Sequence, residues 1–198
     1  MAAAIEYADE HGIEALTLRE LGRVMGASAT AVYRYFPDKD ALYSAMRDSL
    51  LSEVVGQVDL EGEPRGVITE IAVAFRGVAR QHPCLSQLMV IAKLQGPTSD
   101  SIPSLIGDAM RRLGVRDRHL PLKYRQFESF VVGTTLFDLS AAPDHLSSRR
   151  ERLQLATDVG FDRAFPDDAS VDAVNEAAFM ATLGLIMDNL TARADGSE

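Results

Sequence analysis

Basic and aromatic side chains cluster in one stretch near the start of the chain, residues 17–39. Four cations, Arg19, Arg23, Arg34 and Lys39, stand there against two acids, a local net charge of 4 − 2 = +2. Arginine and lysine pair with phosphates, and a tyrosine hydroxyl can also donate to a phosphate oxygen. The chemistry available to this stretch is therefore the binding of a polyanion rather than catalysis.

The same stretch predicts two short helices joined by a glycine turn. Thr17 and Glu20 have the spacing of a capping box, in which hydroxyl and carboxylate satisfy free amides reciprocally. Gly26 marks the turn, and Ser28 is a good N-cap for a helix over about 29–35. The buried stripe of the first helix consists of Leu18, Leu21, Val24 and Met25. This is the pattern of a helix-turn-helix, which places its second helix in a DNA major groove.

The second helix has side chains that suit contact with DNA. With Ala31, Val32 and Phe36 inward, its outward face consists of Ala29, Thr30, Tyr33 and Arg34. Small residues at its start let the backbone approach base edges, where Ala29 and Thr30 can contact a thymine methyl. Thr17 and Lys39 lie at helix N-termini, where amides and the helix dipole attract phosphate. Tyr33 is expected at a phosphate, whereas Tyr35 fits either a phosphate contact or the core.

The whole chain of 198 residues is acidic, with a net charge of −9, 46% hydrophobic and 25% charged residues. That charge does not exclude a local basic face, but it predicts weak nonspecific affinity for DNA. The single cysteine, Cys84, excludes an intrachain disulfide, fits a reducing cytoplasm, and is best explained as a small core residue. No apolar run could cross a bilayer, and the acidic N-terminus does not resemble a signal peptide.

Helical periodicity continues along the rest of the chain, without sustained strand alternation. One helix should follow the Asp38 cap, and the others cover about 2–11, 65–81, 84–93, 101–113, 121–141 and 170–192. Residues 96–99 predict a loop, and 143–170 are polar and irregular apart from a short helix near 148–158. The prediction is an all-α protein of about nine helices, with a helix-turn-helix domain over 1–47 and a larger helical domain over 48–198.

The last two long helices, about 121–141 and 170–192, predict a homodimer. The later one has a face of small residues, Ala177, Ala178, Ala181, Gly184 and Leu185, and a larger face, Phe179, Leu183, Met187 and Leu190. A helix that is apolar on two faces must bury both. One face can pack within its own chain and the other on a second copy. Burial of both faces within one chain is the alternative.

Aromatic and methionine side chains in the larger domain indicate a ligand pocket, although a plain core explains most of them equally well. Such a lining with a few polar anchors is typical of small-molecule sites. The residues selected for the pocket are Phe75, Met89, Phe127, Phe130 and Phe137. The polar groups near them in the sequence are Arg76, His82, Gln126, Glu128, Thr134, Thr135 and Asp138. The expected ligand is largely apolar or aromatic, with one polar end.

No motif in the sequence indicates catalysis or a metal or other cofactor. The four histidines are dispersed, without a partner at ligand spacing. Glu128 and Asp138 are ten residues apart on one helix, about 15 Å along its axis, too far for a two-carboxylate site. An enzyme is therefore disfavoured. A DNA-binding protein controlled by a protein partner, rather than by a small molecule, remains an alternative.

Residues 12–46 resemble the DNA-binding domain of the tetracycline-repressor (TetR/AcrR) family. The matching elements are A-L-T-x-R-E-L, the M-G-A-S turn, the V-Y-R-Y-F core of the second helix, and D-K-D-A-L after it. Beyond these residues the resemblance is architectural. It implies an all-α homodimer that represses transcription and leaves its DNA operator when a small molecule binds.

In that family, phosphate contacts come from positions that match Thr17, Ser28, Tyr33 and Lys39. Bases are read from positions that match Arg19, Ala29, Thr30 and Arg34, with Tyr35 near the DNA backbone. Ala29 is too small to hydrogen-bond a base, so specificity should depend on Arg19, Thr30, Arg34 and apolar contact. Family members usually carry a basic arm before this domain, but no Lys or Arg precedes Arg19. Either the natural start lies upstream, or the arm's phosphate contacts are missing.

Overall fold

The computed structural model describes residues 1–93, 95–139 and 171–191. Within them, all regular structure is helical, as the periodicity predicts. The first four helices are α1 (Ala2–His11), α2 (Leu18–Val24), α3 (Ala29–Tyr33) and α4 (Lys39–Val55). The others are α5 (Pro64–Gln81), α6 (Cys84–Ile91), α7 (Pro97–Arg112), a 3₁₀ helix (Asp117–His119), α8 (Leu120–Leu139) and α9 (Val171–Thr191). None of these helices is long and apolar enough to span a bilayer. The predicted helix near 148–158 lies outside the described residues.

The N-terminal helices form a small three-helix unit whose apolar side chains meet at one centre. α2 packs on α1 and α3, and the buried residues of this unit include Leu16, Leu18, Leu21, Val32 and Leu42. Gly26 adopts φ 64° between α2 and α3, a left-handed conformation that glycine takes without a steric cost. The turn therefore closes where the sequence predicts it.

The fourth helix joins the two parts of the molecule. α4 begins at Lys39, beside the helix-turn-helix, and runs without a break to Val55. It packs on α5, α6 and α7, and α8 covers α5 and α7. The expected domain boundary at residue 47 thus falls inside α4.

Two details of the predicted elements are wrong. Residues 96–99 are not a loop, because α7 begins at Pro97; proline is favoured in the first turn of a helix, where its missing N–H is not needed. Val24 and Met25 are not part of a buried stripe, since they are 39% and 56% exposed. α2 ends at Val24, and the chain turns away from the core there. Cys84 is buried, and burial raises the pKa of its thiol.

Candidate functional site

Only one of the two hydrogen bonds of the predicted capping box forms at the start of α2. The Thr17 hydroxyl accepts a hydrogen bond from the Glu20 backbone N–H at 3.1 Å. The Glu20 carboxylate does not complete the capping box, because it accepts from Arg23 Nε at 2.8 Å and Nη2 at 2.6 Å. These bonds lower the pKa of the Glu20 carboxyl. Arg23 is therefore already paired and adds little free positive charge to this surface.

Helix α3 presents its polar and aromatic side chains to solvent. Ser28 caps the helix, its hydroxyl accepting from the Ala31 N–H at 3.2 Å. Val32 is buried, whereas Tyr33 is 53% and Tyr35 82% exposed. Thr30 and Arg34 are also exposed, and Ala29 is half-buried. The core alternative for Tyr35 is thus wrong, and both tyrosines are free to contact a ligand in solvent.

Two arginines on this surface carry uncompensated charge. Arg19 and Arg34 are exposed, and neither forms an ion pair with another described residue. Arg19 lies in the first turn of α2, and Arg34 directly follows α3. Both positions belong to the predicted base-reading set, so the structure leaves these side chains available for that role.

Lys39 is closer to other protein groups than the sequence indicates. Asp38 caps α4, with its Oδ1 accepting from the Ala41 N–H at 2.7 Å. The Lys39 ammonium lies 3.4 Å from the Glu14 carbonyl oxygen and 3.9 Å from its carboxylate. It also lies 5.1 Å from the ring centre of Tyr43. The Glu14 carboxylate is exposed, so this pair is weak and a phosphate can compete with it.

An apolar cavity lies between α4, α5, α6, α7 and α8. Three of the five predicted pocket residues, Phe75, Met89 and Phe127, are on its wall. Its volume is about 50 Å³, room for a few water molecules. Ligand pockets usually enclose about 300–1,000 Å³. The walls must therefore move apart to admit a ligand of ordinary size.

A fourth predicted pocket residue, Phe130, lies elsewhere. Phe130 stacks on Phe179 of α9, with ring centres 5.4 Å apart, and it does not reach this cavity. The Phe137 side chain lies outside the described residues. Of the polar groups named with them, only Glu128 is on the cavity wall. Arg76 pairs with Glu176, and His82 and the threonines bond elsewhere.

The sequence interpretation missed two polar side chains that line the cavity beside Glu128 and Tyr124: Arg47 and Ser99. Arg47 could have been found, because Arg47, Leu50, Leu51 and Val54 have the spacing i, i+3, i+4, i+7 of one helix face. That spacing places Arg47 on the same face of α4 as three buried apolar residues. Among the described residues, no cluster of His, Cys, Asp and Glu could hold a metal ion.

The two apolar faces of α9 differ in burial. Its larger side chains, Phe179, Leu183, Met187 and Leu190, are buried against the rest of the chain. The face of small residues is open, with Ala177, Ala178 and Ala181 exposed and Leu185 70% exposed. In the described part of the chain, therefore, only the face of larger side chains is covered. Leu122 and Leu136 of α8 are exposed as well.

Residues 1–46 match the family model described as "Bacterial regulatory proteins, tetR family". The HTH-type transcriptional repressor DrrR1 of Streptomyces coeruleorubidus is 27% identical over 163 residues, which are 82% of this chain and 58% of that protein. The chain thus spans little more than half of that relative's length.

Solved structures share the fold over almost the whole chain. A possible TetR family transcriptional regulator from Streptomyces coelicolor A3(2) has a TM-score of 0.79 at 24% identity, covering 96% of this chain and 95% of that one. BioQ of Mycobacterium smegmatis has a TM-score of 0.72 at 26% identity, covering 98% and 96%. BioQ has also been crystallised with its double-stranded DNA operator, at a TM-score of 0.70, 24% identity and coverage of 97% and 95%.

Proposed function

The chain belongs to the TetR family of bacterial regulatory proteins, and we propose that it is a sequence-specific transcriptional repressor in the cytoplasm. It binds its DNA operator as a homodimer, and a small, largely apolar effector releases it. The domain predicted over residues 1–47 contacts the DNA, and the domain predicted over 48–198, together with Arg47 at the boundary, holds the effector and the second subunit. No catalytic step is part of this function.

The exposed surface of α2 and α3 carries the DNA-binding part of the proposal. Arg19 and Arg34 are exposed and unpaired with described residues, so they can donate to base edges without breaking an internal ion pair. Tyr33, at the end of α3, and Lys39, at the start of α4, suit phosphate contacts. BioQ, which has the same fold, forms a complex with an operator.

The open face of α9 supports the homodimer. A single helix-turn-helix covers few base pairs, so such proteins bind two half-sites about 34 Å apart as dimers. The exposed small residues of α9 allow a second helix to approach closely, and Leu185 adds an apolar side chain that one chain leaves in solvent. The same face of a second copy would cover the small residues and Leu185.

The size of the cavity supports the proposal that effector binding releases the operator. With a volume of about 50 Å³, it cannot take an effector unless a wall moves, and α4 is one of the walls. Because α4 begins at Lys39, directly after the α3 region, its displacement would change the distance between the two recognition helices of a dimer. An operator with fixed half-site spacing would then bind less tightly.

The DNA-binding proposal is tested by selecting tight binders from a random duplex library with the purified protein. We expect enrichment of an inverted repeat with half-sites one helical turn apart. A variant with Arg19 and Arg34 both changed to Ala should no longer select a sequence. Enrichment of no sequence by the wild-type protein would contradict the function, and enrichment of a single unrepeated site would contradict the dimer.

A further inference from the structure

One cationic side chain is buried in the cavity wall without an ion pair to any described residue. Arg47 is only 4% exposed, and burial lowers the pKa of its guanidinium. Its Nε lies 3.3 Å from the Met89 sulfur, a weak acceptor. Among the described residues no carboxylate lies within 4.0 Å of its nitrogens. A buried, unpaired charge is costly, so its presence in an apolar wall calls for a ligand that pairs with it.

A second polar group on the same wall has no partner. Ser99 is 2% exposed, and its hydroxyl makes no hydrogen bond with any described residue. Its backbone N–H is already held by Asp48 Oδ1 at 2.7 Å. Buried hydroxyls are normally hydrogen-bonded. Arg47, whose one hydrogen bond to a described residue goes to a sulfur, and Ser99, whose hydroxyl has no partner among the described residues, thus provide two buried donors on one cavity.

The acidic groups near Arg47 are engaged by other residues. Glu128 lines the cavity, but its Oε2 accepts from Arg125 at 2.7 Å. Asp48, the next residue on α4, holds the Ser99 N–H. Tyr124 also lines the cavity, and burial raises the pKa of its phenol to about 12. The wall thus carries three side chains that can donate, Arg47, Ser99 and Tyr124, and one carboxylate, Glu128, whose Oε2 is held by Arg125.

We propose that the cavity takes an effector with a carboxylate, which accepts hydrogen bonds from the Arg47 guanidinium and the Ser99 hydroxyl. The rest of the effector is an apolar body, because the remaining wall consists largely of aliphatic and aromatic side chains. The proposal rests on the effector-binding role proposed above, and it names the chemical class of that effector.

Such a carboxylate would join two helices that the cavity separates. Arg47 is on α4 and Ser99 is in the first turn of α7, and Asp48 already connects them through one hydrogen bond. The apolar body of the effector would push the walls apart while its carboxylate holds α4 to α7. With Arg47 held to α7 through the carboxylate, α4 could then move only by tilting about Arg47.

Three matched probes test the effector class: naphthylacetate, naphthylacetamide and naphthylethylamine, substituted at the same ring position. They share one apolar body and differ in whether the end is anionic, neutral or cationic. Calorimetry with the full chain should show saturable binding of the carboxylate, at least about tenfold tighter than the amide, as expected for charged hydrogen bonds. The amine should not bind measurably.

Two variants test whether Arg47 and Ser99 bind the carboxylate. Arg47→Met should remove the preference for the carboxylate over the amide without lowering the unfolding temperature, because it removes an unpaired buried charge. Ser99→Ala should weaken carboxylate binding severalfold. Arg116→Met, an exposed arginine outside the cavity, is the matched control and should bind like the wild type.

The outcomes separate this proposal from the repressor function. Equal or tighter binding of the amide or amine, no saturable binding of the carboxylate, or a carboxylate preference that survives in Arg47→Met overturns the proposal. Operator release is measured separately by fluorescence anisotropy. A carboxylate that binds through Arg47 but leaves operator affinity unchanged supports the effector class and contradicts the switch.

Discussion

The Asp9 carboxylate in α1 and the His82 imidazole, just before α6, meet at 2.8 Å between Oδ2 and Nδ1. The other Asp9 oxygen accepts from the Cys84 backbone N–H at 2.9 Å. One side chain of the helix-turn-helix unit therefore holds the beginning of α6. This is a second attachment between the two parts of the molecule, independent of α4.

We expect Asp9→Ala to destabilise the fold by about 1–3 kcal/mol, because it leaves a buried backbone N–H without a partner. Urea denaturation measures the change. Glu10→Ala, at a neighbouring exposed position, is the control and should stay within about 0.5 kcal/mol of the wild type. If Asp9→Ala changes the free energy of unfolding no more than Glu10→Ala does, the contact does not hold α6. If α6 transmits the effector signal, the same variant should bind operator but respond less to effector.

Changing Tyr33 and Lys39 together to Ala should weaken binding to all DNA sequences by a similar factor. Phosphate contacts carry no sequence information, and loss of the Lys39 charge should reduce the slope of log affinity against log salt by about 1. Anisotropy titrations over a range of salt concentrations give both quantities. Arg112→Ala, on the far end of α7, controls for net charge. An unchanged slope would remove Lys39 from the interface.

Gly96→Ala should destabilise the protein by about 2 kcal/mol or more. Gly96 has φ 129°, which side chains rarely adopt. An added Cβ would also lie 2.5 Å from the Asp48 carboxylate, which holds the first turn of α7. Gly77→Ala is the matched control, since its Cβ would meet nothing within 4 Å and alanine favours a helix. Thermal unfolding should therefore shift down for Gly96→Ala and slightly up for Gly77→Ala.

Leu185→Asp should convert the homodimer to a monomer and abolish tight operator binding. The side chain is 70% exposed in one chain, so the change should leave the fold of the subunit intact while placing two charges in the proposed interface. Val90→Asp on α6 is the control, because the Val90 side chain is similarly exposed, at 67%. Sedimentation velocity distinguishes the two states. A dimeric Leu185→Asp protein would place the interface elsewhere.

The helix-turn-helix was predictable because its signals are local. The caps at Thr17, Ser28 and Asp38 each bond an amide three residues away, and Gly26 turns the chain at one position. The capping box failed at Glu20, where an arginine three residues further on competes for the carboxylate. A nearby competing side chain is visible in the sequence, but its outcome depends on geometry.

The pocket was predictable only in part. Phe75, Met89 and Phe127 line it, whereas Phe130 looks the same in a sequence but packs on Phe179 of α9, 49 residues further along the chain. The open face of α9 had the same ambiguity, since a helix with two apolar faces does not show which one its own chain covers.

The sequence by itself thus determined the helices, the turn and the exposed face of the helix-turn-helix, because those depend on bonds within a few residues. Only the tertiary structure decided that Arg47 and Ser99 are buried together on one cavity, without a carboxylate for Arg47 or a partner for the Ser99 hydroxyl among the described residues. Burial and pairing of a side chain depend on which distant helices pack against it, and here α4, α7 and α8 come together from separate parts of the chain.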